Sequence, residues 1–94
     1  MKIYRVKGEV LVAVCDAEIA GKIFREGNLK IEVKEDFYGK EEFEEIEVER
    51  ALKMATIANI TGEKAVELAI RLGIVDKDKV LRIKDCPHAQ MVLI

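Results

Sequence analysis

The stretch Val10-Leu11-Val12-Ala13-Val14-Cys15 decides the fold of this chain. All six residues are apolar and three are valines, a composition typical of β-strands. A strand that is apolar on both of its faces is one that is buried on both sides. We therefore predict that residues 10–15 form a central strand of a sheet. Residues 2–7 mix apolar and basic side chains before a turn at Gly8-Glu9, which predicts a hairpin with this strand.

Patterns further along the chain predict the remaining elements. Asp16 is a good N-cap for a short helix over residues 17–20, and residues 29–33 alternate as a half-buried strand does. A helical stripe runs over residues 43–58, with Asp36-Phe37-Tyr38-Gly39 as a loop before it. A second helix is expected between an N-cap at Thr61 and Gly73, and residues 80–83 and 91–94 are expected to be strands.

These elements predict a single α+β domain over residues 1–94. The order is β-β-(short α)-β-α-α-β-β, with a mostly antiparallel sheet of about five strands and two main helices on one face. With 50% hydrophobic and 36% charged residues, the composition excludes a disordered chain. The Glu and Lys content, beside a single proline, is typical of thermophile proteins.

Charge is distributed unevenly along the chain. Residues 35–49 hold eight acidic side chains and one basic one, a charge of −7, so the rest of the chain carries +5 of the net −2. Carboxylates at the start of a helix complement its macrodipole, which explains the acidic segment without a partner. The sequence has no apolar run of the roughly 18 residues that span a bilayer, and its two cysteines do not form a disulfide framework. We expect a cytoplasmic protein with reduced thiols.

The chain has one histidine, His88, in the segment Cys86-Pro87-His88. Histidine is the side chain whose ordinary pKa lies near neutrality, so His88 is a candidate for proton transfer or for a binding contact. A nucleophilic site would pair Cys15 with His88 and orient the imidazole with Asp16 or Asp85. The other interpretation of Cys15 is a small buried core residue, and the sequence leaves both open.

A metal site would need more ligands than the sequence groups together. Cys86 and His88 point to the same face of an extended segment, but there is no Cys-x-x-Cys pair, and the remaining ligands would have to be Cys15 and Asp16. We predict no metal site and no cofactor.

Polar residues in otherwise apolar segments, and aromatic residues beside a turn, are candidates for ligand or partner binding. We expect Asn59 to lie at the junction of two helices, where its amide bonds backbone groups or a ligand. Phe37 and Tyr38 are expected in a loop that either packs onto the core or lets the rings stack on a partner. Residues 87–90 are predicted to pack beside the 59–64 junction and the Cys15-Asp16 turn. The complete candidate set is Lys22, Arg25, Phe37, Tyr38, Asn59, Lys64, His88 and Gln90.

Several short motifs recur in one order along the chain: Cys15-Asp16, Gly21-Lys22, Phe24, Glu26-Gly27, Phe37-Tyr38-Gly39, residues 56–69 and Pro87-His88-Ala89-Gln90. Through them the chain resembles the archaeal domain-of-unknown-function family 424 over nearly its whole length. Cys86 is not part of that pattern. The resemblance implies an archaeal, cytoplasmic protein with no assigned reaction, from a family whose genes often occur among translation genes.

The sequence and the resemblance together predict a binding module without enzymatic activity. Its expected partners are RNA or a translation-associated protein, and a second copy of the chain is a further candidate. The alternative hypothesis is a small hydrolase or transferase that uses Cys15, Asp16 and His88.

Overall fold

The computed structural model describes residues 1–93 of the chain. The strands are β1 (Lys2–Val6), β2 (Glu9–Cys15), β3 (Ile23–Glu26), β4 (Leu29–Glu32), β5 (Ile57–Thr61), β6 (Leu81–Ile83) and β7 (Cys86–Val92). The α-helices are α1 (Glu35–Tyr38), α2 (Glu45–Met54) and α3 (Glu63–Arg71), and single 3-10 turns lie at Ala17–Ile19 and Lys77–Lys79.

Five strands form the main sheet in the order β1-β2-β5-β7-β6. Strand β2 lies between β1 and β5, and its residues Val12–Cys15 are buried, so the predicted interior position of this strand is confirmed. The α+β class is also confirmed. The sheet is mixed, however, because β2 and β5 run parallel while the other neighbouring strands are antiparallel. The prediction of a mostly antiparallel sheet missed this parallel pair.

The parallel pairing of β2 and β5 was not predicted because the end of a predicted helix was placed wrongly. The predicted helix over residues 43–58 ends at Met54, and Ile57–Thr61 is the middle strand of the sheet. The residues after Met54 are rich in β-branched side chains, which favour a strand. The Thr56 hydroxyl also bonds the backbone N–H of Val10 at 2.8 Å, which ties the start of β5 to β2. Asn59 therefore lies within a strand and not at a junction of two helices.

Helices α2 and α3 cover one face of the sheet, as predicted. Val12, Val14 and Ile60 point to that face and are fully buried against the two helices. The acidic side chains of α2 lie on its opposite, exposed side, since Val48, Ala51 and Leu52 form the buried stripe. The acidic segment is thus largely solvated in this chain.

The hairpin β3–β4 and helix α1 cover part of the other face. Ile31, Val33 and Tyr38 pack there against Ala13, Cys15 and Ile83. Strand β3 was not predicted, although the two-residue turn Gly27-Asn28 between β3 and β4 is a hairpin signal. The predicted loop at residues 36–39 is also wrong, because Glu35–Tyr38 forms a turn of helix.

The last segment is one long strand. The last strand was predicted to begin at Met91, but β7 begins at Cys86, directly after a tight turn at Lys84 and Asp85 with φ of 51° and 64°. Two successive residues with positive φ are typical of a two-residue hairpin turn, because the twist of such a turn matches the right-handed twist of the strands on either side. The predicted terminal strand reached Ile94, which lies outside the described residues.

Candidate functional site

One surface of the main sheet is left partly uncovered by the hairpin and α1. Strand register places side chains in rows across this surface, because directly paired residues point to the same face. One row is Leu11, Ile57 and Val92, the next is Ala13, Asn59 and Gln90, and a third is Cys15, Thr61, His88 and Leu81. We call the exposed and half-exposed members of these rows the open face: Leu11, Ile57, Asn59, Leu81, His88, Gln90 and Val92.

The open face combines apolar side chains with polar side chains in fixed positions. Val92 is 63% exposed and Leu81 is 44% exposed. Between them, the Gln90 Nε2 donates a hydrogen bond to the Asn59 Oδ1 at 2.9 Å. This pairing fixes both amides and leaves the Gln90 Oε1 and the Asn59 Nδ2 available for a ligand.

A hydrogen-bonded chain holds His88 at the edge of the open face. The hydroxyls of Thr61 and Tyr38 are hydrogen-bonded at 3.0 Å, and the Thr61 hydroxyl is also hydrogen-bonded to the Nδ1 of His88 at 2.8 Å. Each hydroxyl can donate and accept, so Thr61 holds the Nδ1 of His88 in either tautomer of the ring. The other ring nitrogen, Nε2, has no hydrogen-bond partner among residues 1–93 and is free to bond a ligand.

Burial lowers the pKa of His88 below its ordinary value, so the neutral imidazole is favoured at pH 7. Desolvation likewise raises the pKa of Tyr38, which keeps its hydroxyl protonated. The three hydrogen-bonded side chains Tyr38, Thr61 and His88 are therefore uncharged. They are suited to hydrogen bonding with a neutral partner group.

A cleft of about 360 Å³ separates His88 from the hairpin. Its walls are the β4 residues Lys30–Glu32 on one side and Leu81, His88 and Gln90 on the other, with Tyr38 between the two. The volume lies in the range of ligand-binding clefts, at roughly 300–1,000 Å³. Lys30 and Glu32 are 3.9 Å apart and partly exposed, so the charges at the rim largely balance.

The structure brings the predicted terminal segment to its expected neighbours. Thr61 pairs with His88 and Asn59 with Gln90, and the backbone N–H of Gly62 donates to the carbonyl of Pro87 at 2.9 Å. Cys15 pairs with Thr61 in the adjacent strand. The predicted proximity of residues 87–90, residues 59–64 and Cys15-Asp16 is confirmed, although it arises from strand pairing.

The thiol of Cys15 is not in the state that nucleophilic catalysis needs. The residue is 2% exposed, and its Sγ lies 3.7 Å from the carbonyl oxygen of Gly39. Burial raises the pKa of Cys15 to about 11, and no hydrogen bond joins the thiol to His88 within residues 1–93. A thiolate is the nucleophilic form, so this geometry gives no support to the Cys15–Asp16–His88 hypothesis.

Asp16 has a structural partner far along the chain. Its carboxylate is 4% exposed and accepts hydrogen bonds from the backbone N–H groups of Lys64 and Ala65 at 2.9 and 2.8 Å. It therefore caps α3. Asp16 also occupies the predicted N-cap position of the 3-10 turn at Ala17–Ile19, but its side chain makes no capping hydrogen bond there. The N-cap position of α3 is Gly62 and not Thr61, whose hydroxyl serves His88 and Tyr38.

Gly62 is required at this position for two reasons. Its φ is +111°, and a Cβ added there would lie 2.5 Å from the Cγ of Asp16. The carboxylate thus fills the space at the amino end of α3, where an anionic ligand would otherwise bind. We assign this end of the helix to fold stability.

Of the other predicted binding residues, Lys22, Arg25, Phe37 and Lys64 lie away from the cleft lining. Lys22 and Arg25 are exposed on the segment around β3, and Lys64 lies 3.5 Å from Glu18 in an exposed ion pair. Phe37 stacks on Tyr4 with ring centroids 5.5 Å apart, which leaves it half-buried. Tyr38 is buried and lines the cleft, so both aromatic residues pack onto the core, the alternative that needs no partner.

Sequence reasoning missed Lys30, Glu32, Thr61 and Leu81 as members of the site, and also the open-face residues Leu11, Ile57 and Val92. Thr61 was interpreted as a helix cap, which hid its part in the hydrogen-bonded chain. The alternation over residues 29–33 was recognised, but nothing in it places β4 beside β7.

No group of three or more His, Cys, Asp or Glu side chains that could hold a metal ion occurs among residues 1–93. None of the helices that the structure describes is long and apolar enough to cross a membrane.

Fold and site define a small α+β domain with a mixed sheet, covered by two helices on one face and left half-open on the other. The chain belongs to the family described as "Protein of unknown function (DUF424)", whose profile matches residues 4–94. The resemblance drawn from the sequence motifs is thereby confirmed.

A solved structure of an uncharacterized conserved protein from the archaeon Methanopyrus kandleri is similar to this chain. The TM-score is 0.76 at 21% sequence identity, and the match covers 96% of this chain and 86% of the other. This likeness shows a shared fold. A comparison with curated proteins found no match.

Proposed function

We propose that this chain is a binding module without catalytic activity that works in the archaeal cytoplasm, and that the open face is its recognition surface. The observation that carries the proposal is the combination on one surface of exposed apolar residues with hydrogen-bonding groups held in place. Val92 and Leu81 supply the apolar area, and the fixed groups are His88 and the Asn59–Gln90 pair. Exposed apolar residues around oriented polar groups are typical of interaction sites.

The charge of this surface favours a protein partner over RNA. Lys30 is the one cationic side chain among the residues that line the cleft, and it lies beside Glu32. Affinity for nucleic acid depends mainly on rows of cations that neutralise phosphates, and the whole chain has a net charge of −2. A protein partner needs apolar area and matched hydrogen bonds instead. The gene association of the family makes a translation-associated protein the first partner to look for.

Catalysis is the weaker alternative because the groups it needs are engaged elsewhere. The Asp16 carboxylate accepts from α3, and burial raises the pKa of the Cys15 thiol to about 11. His88 has a free Nε2, but Thr61 is its oriented neighbour in place of an acid or a nucleophilic thiol. These contacts support a binding role for His88.

The test is a capture experiment from a native lysate of cells that naturally contain the protein. Wild-type chain is compared with Val92→Lys, which places a charge in the apolar row, and with Ile3→Lys as a matched control. Ile3 is 41% exposed and pairs with Val12, so its side chain points to the helix-covered side of the sheet. Each lysate is divided and one half is treated with nuclease before capture.

We expect one specific protein to be retained by the wild type and by Ile3→Lys, lost with Val92→Lys, and unaffected by nuclease. Loss of all captured material on nuclease treatment would replace the protein partner with RNA. Equal capture by the two lysine variants would mean that the open face is not the recognition surface.

A further inference from the structure

The outer edge of β4 has unpaired backbone groups. In an antiparallel pair, successive residues point their N–H and C=O groups alternately toward and away from the partner strand. Val33 points toward β3, because its N–H donates to the carbonyl of Lys22 at 2.9 Å. Ile31 therefore also bonds to β3, while Lys30 and Glu32 direct their backbone groups outward. Within residues 1–93 those outward N–H and C=O groups have no hydrogen-bond partner.

This unpaired edge borders the open face. Residues Lys30–Glu32 form one wall of the His88 cleft, and Gln90 and His88 form the opposite wall. The hairpin β3–β4 is a second layer over the sheet, and it leaves Gln90 and Val92 exposed. A strand added beside β4 would lie about 4.8 Å further along that layer, above the uncovered part of the sheet.

We propose that the partner binds as an extended peptide that pairs with the free edge of β4 and covers the open face. This inference rests on the proposed function and names the form that the protein partner takes. The peptide turns the β3–β4 hairpin into a three-stranded layer. Lys30 and Glu32 each contribute one backbone donor and one backbone acceptor to it.

The surfaces on either side of the added strand specify its sequence pattern. Side chains of an extended peptide alternate, so every second one faces down onto the open face and the others face solvent. The downward positions meet Leu81, which is exposed and apolar, and the free Nε2 of His88, both of which line the cleft, while the exposed Val92 lies two residues beyond Gln90 on the same face. We therefore expect alternating peptides with apolar downward residues and one hydrogen-bonding side chain that reaches the Nε2 of His88. Recognition through main-chain bonds at a sheet edge, with pockets for alternate side chains, is an established mode of peptide binding.

The probe is a phage-displayed library of random dodecapeptides selected on the full-length wild-type chain. Synthetic copies of enriched peptides are then measured against two proline variants of the hairpin. Glu32→Pro removes an outward N–H from the β4 edge, and the proline ring blocks the approach of a strand. Ile23→Pro is the matched control, because Ile23 lies directly opposite Glu32 and its N–H points to the other edge of the same hairpin.

We expect enriched peptides to bind wild type and Ile23→Pro alike and to lose at least about tenfold in affinity with Glu32→Pro. Amide hydrogen exchange on the wild-type chain gives a reading that needs no variant to fold. Bound peptide should slow exchange of the Lys30 and Glu32 amides by about tenfold or more.

Failure of the library to yield a binding peptide, equal affinities for the two proline variants, or unchanged exchange at Lys30 and Glu32 would each overturn the strand-addition proposal. A different result would overturn the proposed function itself: the Val92→Lys and Ile3→Lys variants would capture equal amounts of the partner protein. A peptide that binds in helical form while Val92→Lys abolishes its binding would keep the open face as the recognition surface and refute pairing with β4.

Discussion

Gly62→Ala tests the contact between the end of β5 and the carboxylate that caps α3. The added methyl group would lie 2.5 to 2.8 Å from the Cγ and both carboxylate oxygens of Asp16, so the carboxylate must move. Movement breaks its hydrogen bonds to the N–H groups of Lys64 and Ala65, which are 2.9 and 2.8 Å long. The alanine must also adopt a φ near +111°, which strongly favours glycine.

These two effects set the expected magnitude. A non-glycine residue in such a backbone conformation costs about 1–3 kcal/mol, and each buried N–H that loses its acceptor costs about 1–3 kcal/mol. We expect Gly62→Ala to lower the free energy of unfolding by about 3–7 kcal/mol, the backbone cost plus a loss of about 2–4 kcal/mol from the cap. Asp16→Ala, which removes the cap alone, should cost about 2–4 kcal/mol.

Urea unfolding followed by circular dichroism measures these changes, and Gly73→Ala is the matched control. Gly73 also has a positive φ, of +74°, but nothing lies within 4 Å of an added Cβ. Its alanine variant should cost about 1–2 kcal/mol, the backbone contribution alone. In the Asp16→Ala background, Gly62→Ala has no carboxylate to displace, so the double variant should lose less than the sum of the single losses.

Two results would refute this reasoning. One is a Gly62→Ala loss within about 1 kcal/mol of the Gly73→Ala loss, which would remove the steric contribution. The other is strict additivity of Gly62→Ala and Asp16→Ala, which would mean that the two residues do not share the energy of the cap.

Three further predictions concern single side chains. Burial lowers the pKa of His88, so the unfolded chain binds more protons, and stability should fall as the pH drops from 6.5 toward the lower folded pKa. His88→Asn should remove that part of the pH dependence in urea titrations at pH 7 and 5.5, and an unchanged slope would contradict it. Burial raises the pKa of Cys15 from 9.0 to about 11, which at pH 8 makes the thiolate roughly a hundredfold rarer in the native protein than in the unfolded chain. A thiol reagent should therefore label Cys15 at least about a hundredfold more slowly in the native protein than in urea. Fast native labelling would revive the nucleophile hypothesis. The pair Glu44→Gln and Glu45→Gln should change stability by less than about 1 kcal/mol, since both side chains are exposed. A larger loss, with a dimer in sedimentation, would show this face buried against a second copy.

Local patterns in the sequence predicted the elements whose signal is complete within a few residues. The uninterrupted apolar run of β2 predicted an interior strand, and the apolar stripe of α3 predicted a buried helix face. The boundary between α2 and β5 was wrong because residues 55–60 satisfy both a helical and a strand pattern. The strand wins there because β2 and β7 supply backbone partners on both sides, and that information lies elsewhere in the chain.

The candidate site, too, was predictable from the sequence only in part. His88 and Gln90 were recognised as polar residues in an apolar setting, and their neighbourhood with residues 59–64 was anticipated. The contacts that give the site its chemistry join residues far apart in sequence: Thr61 and His88 are 27 positions apart, Asn59 and Gln90 are 31, and Asp16 and Lys64 are 48. Side-chain type and spacing follow from the sequence alone, because they depend on neighbouring residues. The tertiary structure alone decided which carboxylate caps α3 and which strand edge stays unpaired beside the cleft. Only strand pairing and the packing of the layers bring those groups within hydrogen-bonding distance or leave them without a partner.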